Sequence, residues 1–161
     1  MLWLAVLTLL RGSTAAALTK EYTYRAQKNN VDLSAPCASL KYGFANLTVA
    51  WSSGGECTGV ITGFVNETTS GEKWVLNVTG TWRAAPQVQR QAVAFDWTAE
   101  GPVDGLEWGY AYTGVALAPW FAYSAPSQQQ WTLVGSVVRL VGHGAAPAGE
   151  AASFYAVEKE D

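Results

Sequence analysis

From residue 38 to residue 141 the chain divides into strand-length pieces, and no window in it keeps a helical period. The pieces are ASLKYG (38–43), NLTVAW (46–51), CTGVITGFV (57–65), KWVLNVTGTWR (73–83), QAVAFDWT (91–98), GLEWGYAYT (105–113), VALAPWFAY (115–123) and QWTLVGSVVRLV (130–141). Each alternates apolar and polar residues, or runs apolar, over the length of a strand. The separators SSGGE, NETTSGE, AAPQVQ, AEGPVD and SAPSQQ hold the Gly, Pro, Asn and Ser that turns require. Eight consecutive strands on short turns, with no long helix to carry a parallel crossover, predict an all-β fold. The expected form is an eight-stranded antiparallel up-and-down β-barrel, which removes its sheet edges by closing. An antiparallel sandwich fits the same pattern and is the alternative. Pro119 must then sit at an edge, a bulge or the entry of its strand, because it has no N–H to give.

Aromatic residues crowd the second half of this pattern. Of eight Trp, six (Trp74, Trp82, Trp97, Trp108, Trp120, Trp131) lie within residues 74–131. The indole is large and its N–H wants a partner, so a small core uses few of them. The surplus points to an aromatic-walled ligand cavity or a large subunit interface. Alternation places Val93, Phe95 and Trp97 on one face, and Leu106, Trp108, Tyr110 and Tyr112 on one face. Trp97 and Trp120 are expected to point into the barrel. Trp51, Trp74 and Trp82 read first as core, rim or interface.

Length and charge narrow the class. The 161 residues make one domain. Charged residues are 14% of the chain, against about 25% in ordinary soluble domains. So little charge favours burial of a further surface in a homo-oligomer. A formal charge of −3 with no basic run argues against a nucleic-acid partner. No stretch beyond the start approaches the ~18 apolar residues of a membrane span, so no membrane partner is expected.

The start reads as a signal peptide over residues 1–17. Leu2 to Leu10 is an apolar run of nine, and Ala15 to Ala17 offers small residues for cleavage. A basic n-region is missing, since Arg11 follows the run. Residues 18–36 read as a polar N-terminal extension, 37–142 as the barrel, and the Ala/Gly/Glu-rich 143–161 as a loose C-terminal tail. Asn46, Asn66 and Asn77 each open an Asn-x-Thr sequon, and behind a signal peptide they mark a secreted glycoprotein. Asn77 falls inside a strand candidate. Cys37 and Cys57 are expected to form one disulfide in an oxidising compartment. A closed loop of about 20 residues is worth roughly 3 kcal/mol in the chain-entropy account. Two buried free thiols are the other reading, and without a His cluster neither makes a zinc site.

Little here performs catalysis. The only histidine, His143, lies in the tail, and no paired-carboxylate motif, phosphate-cradling loop or nucleophile elbow is present. A carboxylate pair such as Asp96 and Glu107 could meet across strands. The chain reads as a non-enzyme with no catalytic residue, cofactor or metal.

Several motifs, taken in order, resemble the avidin and streptavidin family over residues 37–141. NLTVAWSSGGECTGV resembles its second strand, Gly-bearing turn and third strand. VTGTWRAAP is similar to its L-T-G-x-Y strand with a Pro loop, and AVAFDWT to its x-V-x-W segment. APWFAYS is similar to its W-L-L strand, and WTLVG to its last strand. The resemblance implies an avidin-like barrel that binds biotin or a biotin-like small molecule, with Trp97, Trp108, Trp120 and Trp131 as cavity walls. It also implies lost recognition. The family's polar partners for the ureido group fall here on Gly43, Ala45, Ile61 and Val137, and the last-strand motif is two residues shorter between Trp131 and LVG. Biotin–streptavidin lies near the ceiling of non-covalent affinity, at about −18 to −21 kcal/mol. Leaving three or four polar groups unpaired, at about 1–3 kcal/mol each, turns such binding nanomolar to micromolar. Thr62, Asp104, Tyr110 and Ser136 are candidate replacements. The competing expectation is a secreted glycoprotein barrel serving adhesion, storage or assembly with no small ligand.

Overall fold

Eight antiparallel strands, each hydrogen-bonded to its neighbours in sequence, close into one barrel through pairing of the first with the last. They are β1 (Leu18–Lys28), β2 (Tyr42–Gly55), β3 (Thr58–Asn66), β4 (Val75–Ala84), β5 (Ala92–Val103), β6 (Leu106–Leu117), β7 (Thr132–Arg139) and β8 (Ala151–Glu158). The computed structural model describes residues 17–28, 42–55, 58–66, 74–84, 92–117, 130–143 and 147–159. Cys37, Cys57, Trp120 and the signal-peptide segment up to residue 16 lie outside the described residues.

The fold class is as expected, but its strands are not all the expected ones. The segment read as an N-terminal extension contains β1, and the segment read as a loose tail contains β8. Both carry a two-residue period: Tyr22 and Tyr24 in β1, and Phe154 and Ala156 in β8, are buried. Alanine has poor strand propensity, and AASFYAVE therefore resembles a tail until a neighbour gives it a register. Two candidates, 38–43 and 46–51, merge where described into the single strand β2, which has no turn between Gly43 and Asn46. Of the candidate 115–123, residues 118–123 lie outside the described residues. Residues 115–117 end β6, and β6 pairs directly with β7 over Tyr110–Leu117. WTLVG, expected in the last strand, thus leads into the penultimate one.

A two-residue turn joins β5 to β6. Asp104 (φ 51°) and Gly105 (φ 79°) both adopt the left-handed conformation that a type I′ hairpin requires. The separator AEGPVD is therefore mostly strand, because its first five residues complete β5.

Parity decides what fills the lumen. Tyr24, Phe95, Trp97, Tyr112 and Phe154 all face inward and meet at the waist. Phe95 and Trp97 stack with centroids 4.1 Å apart and planes 11° from parallel. Phe154 touches Tyr24 at 5.6 Å and Tyr112 at 5.4 Å. Such a plug needs small residues opposite it. Gly80 lies opposite Trp97 and Gly114 opposite Phe95. A Cβ on Gly80 would stand 2.5 Å from Trp97 Cα, and one on Gly114 would stand 2.8 Å from Phe95 Cζ. Glycine at these two points lets backbone and ring approach where no side chain fits.

Candidate functional site

The aromatic waist divides the lumen into two cups that open at opposite ends. At the end where β2, β4, β6 and β8 begin lies a cavity of about 280 Å³. Tyr24, Trp74, Trp108, Tyr110 and Tyr112 form its aromatic wall, and Arg139 and Glu150 are its only charged lining residues among those described. This is the polar cup. At the other end a cavity of about 170 Å³ is lined by Leu18, Lys20, Tyr22, Trp51, Trp82, Val93, Ala116 and Trp131. This is the apolar cup.

Beside the polar cup, the described residues between β7 and β8 (140–143 and 147–150) bond back to β6 and to the end of β7. Leu140 N–H donates to Gly109 O at 2.8 Å, and Gly149 N–H to Arg139 O at 2.8 Å. This brings His143 flat against Trp108, with ring centroids 3.9 Å apart and planes 9° from parallel. His143 Nε2 also hydrogen-bonds the Tyr110 hydroxyl at 2.8 Å. Trp74 stands 6.0 Å from Trp108, centroid to centroid. Arg139 forms an ion pair with Glu150 and lies 5.8 Å over the Tyr110 ring. Among the described residues two donors remain unanswered: Trp108 Nε1 and Arg139 Nε are buried and have no hydrogen-bond partner there.

Protonation states follow from burial. Tyr24 and Tyr112 hydrogen-bond each other at the cup's floor, and burial pushes both phenols well above their ordinary value. Both therefore stay neutral. His143 is pushed below its ordinary 6.5, first by burial and then by the Arg139 cation, with Glu150 opposing. The imidazole is neutral at pH 7. Because the unfolded chain binds the proton more readily, stability is lost as pH falls from 6.5 through the folded value. With one histidine in the chain, proton NMR of its ring should give a midpoint below 6.5, with the Trp108 indole resonances moving in step. A midpoint at or above 6.5 would contradict this environment.

Several polar groups of the apolar cup are paired within the protein. Trp82 Nε1 donates to Ser52 O at 2.9 Å, and the Trp51 side chain hydrogen-bonds Tyr22. Trp131 N–H donates to Glu158 Oε2 at 2.9 Å, and Glu158 is ion-paired with Lys20.

The expected wall residues do not share one cavity. Trp97 is sealed in the waist, Trp108 belongs to the polar cup and Trp131 to the apolar cup. Ala45 and Val137 do line the polar cup, and Ile61 is buried on the inner face, so these positions offer no polar atoms to a ligand. Gly43 pairs with Ala26 near the same rim. Of the candidate replacements, Tyr110 alone faces a cup; Thr62, Asp104 and Ser136 are exposed. Asp96 and Glu107 do not meet, since Asp96 is opposite Thr113 and Glu107 opposite Pro102. Asn46 lies opposite Asn66, and Asn77 opposite Phe64, so all three sequon asparagines share the outer wall of β2–β4.

Sequence reading missed Arg139, Glu150, His143 and Tyr24. For Arg139 a signal existed, because it continues the inward parity of Leu133, Gly135 and Val137. For His143 none did, since its place depends on how the β7–β8 connection folds back. Among the described residues no three His, Cys, Asp or Glu side chains gather as a metal site. No family model matches the chain, and neither a curated protein nor a solved structure matches it.

Proposed function

We propose that the protein is a small-ligand-binding barrel of the avidin type. Its site is the polar cup, and its ligand is biotin or a biotin-like cyclic molecule held by few polar contacts. The observation that carries this reading is the pair of unpaired donors, Trp108 Nε1 and Arg139 Nε, in the wall of one aromatic cavity. An unsatisfied buried donor costs about 1–3 kcal/mol. A ligand that brings carbonyl oxygens removes that penalty, whereas an apolar one leaves it standing.

Charge and size shape the ligand further. Arg139 and Glu150 neutralise each other, so the cup favours a neutral ring over an anion. Its 280 Å³ lies just below the usual range of ligand pockets, about 300–1,000 Å³. Trp108 lines the cavity while His143 stacks on its ring, so the imidazole holds the orientation of the indole. With Ala45, Ile61 and Val137 apolar, the expected affinity is nanomolar to micromolar. The reading includes a secreted setting, with cleavage near Ala17, a Cys37–Cys57 disulfide, glycans on the β2–β4 wall and a homo-oligomer.

Calorimetry with biotin and with 2-imidazolidinone, the bare cyclic urea, tests this directly. Both should release heat and quench Trp fluorescence. Trp108→Phe keeps a ring but removes the N–H, and should weaken binding by about 1–1.5 kcal/mol, the value of one hydrogen bond. No heat and no quenching at millimolar ligand would end the biotin reading. An adhesion, storage or assembly role without a small ligand would then replace it.

A further inference from the structure

We propose that the apolar cup is a second binding site, for a small uncharged hydrophobic molecule about one ring in size. It is independent of the polar cup, because the Phe95–Trp97 stack and Phe154 fill the lumen between them.

The lining sets the ligand class. The indole of Trp82, the Tyr22–Trp51 pair, the Trp131 amide and the Lys20–Glu158 ion pair all have partners within the protein. Among the described residues the cup therefore offers an incoming molecule chiefly aromatic and aliphatic surface, with no buried side-chain polar atom left unpaired. A polar or charged ligand would surrender its hydration without replacement. Among the described lining residues Lys20 alone is charged and Glu158 cancels it, so they present no net charge to an ion. The two cups thus differ in kind: among the described residues the polar cup keeps buried side-chain donors unanswered, and the apolar cup has none buried and unanswered.

Volume sets the size. At about 170 Å³ the cup is close to the engineered apolar cavities of roughly 150 Å³ that stay dry and take up benzene. Three indoles, Trp51, Trp82 and Trp131, give such a ring flat surfaces and edges to pack against.

Toluene is the probe, with benzoate as its charged counterpart, added to the full-length protein and followed by NMR. Saturable sub-millimolar binding of toluene is expected, with nuclear Overhauser contacts from its methyl group to the Trp51, Trp82 or Trp131 indoles. Benzoate should bind at least about tenfold more weakly, reflecting the cost of burying an unpaired charge. Val93→Phe places extra volume at the half-exposed side of the cup and should weaken toluene by at least about tenfold. Ala116→Leu fills it from the buried side and serves if Val93→Phe does not fold. Absence of saturable binding would overturn the proposal. So would contacts to Trp74 or Trp108 instead, equal binding of benzoate, or affinity unchanged in the folded filling variant.

Discussion

A chain ended at His143 is expected to lose its cooperative unfolding transition. The deletion removes β8, which pairs with β1 from Tyr22 to Lys28 and with β7 from Thr132 to Val138. Both of those strands then become open edges, with rows of unpaired N–H and C=O groups. Phe154, buried against Tyr24, Phe95, Trp97 and Tyr112, leaves the waist, and Lys20 and the Trp131 amide lose Glu158. No local compensation exists for losing both closure and core. Near-ultraviolet circular dichroism should flatten, and the soluble fraction should elute as aggregate. A truncated chain that unfolds sharply in denaturant would show that residues 144–161 are the loose tail their composition suggests.

Trp97→Ala should lower the unfolding free energy by about 3–5 kcal/mol, the range for deleting a buried aromatic side chain. Trp97 is only 3% exposed. Its ring stacks on Phe95 and also touches Tyr112 at 5.7 Å and Phe154 at 6.4 Å. Strands bonded to both neighbours around a closed barrel cannot collapse into the void, so the cavity term remains. Against a total stability of about 5–15 kcal/mol, this loss is a large fraction. Denaturant unfolding should show a lower midpoint at an unchanged slope. A loss under about 1 kcal/mol would place Trp97 outside the packed waist.

What the sequence determined is the barrel and the facing of its side chains. A two-residue period survives any tertiary context, because successive strand residues point to opposite sides. Trp97, Phe95, Tyr112 and Trp108 could therefore be assigned to the inner face from AVAFDWT and LEWGYAY alone, and the structure keeps them there. The candidates 57–65, 73–83, 91–98, 105–113 and 130–141 likewise became β3 to β7.

Period fixes the face of a residue but not its height along the barrel axis. Height depends on strand count, because consecutive antiparallel strands start at opposite ends. With 115–123 counted as a strand, Trp108 and Trp131 stood near the starts of the sixth and eighth strands, at the same end. With β6 paired directly to β7, they stand near the starts of the sixth and seventh, and one aromatic cavity becomes two cups. The deciding strands, β1 and β8, carry Tyr22, Tyr24 and Phe154 at inward positions, but Lys20, Ala26, Ala152 and Ala156 take the inward positions around them. The hydrophobic period is therefore only two residues long in β1 and one in β8, too short to read against the polar and Ala-rich composition around it. Only the pairing of β1 with both β2 and β8 shows that these two segments close the sheet.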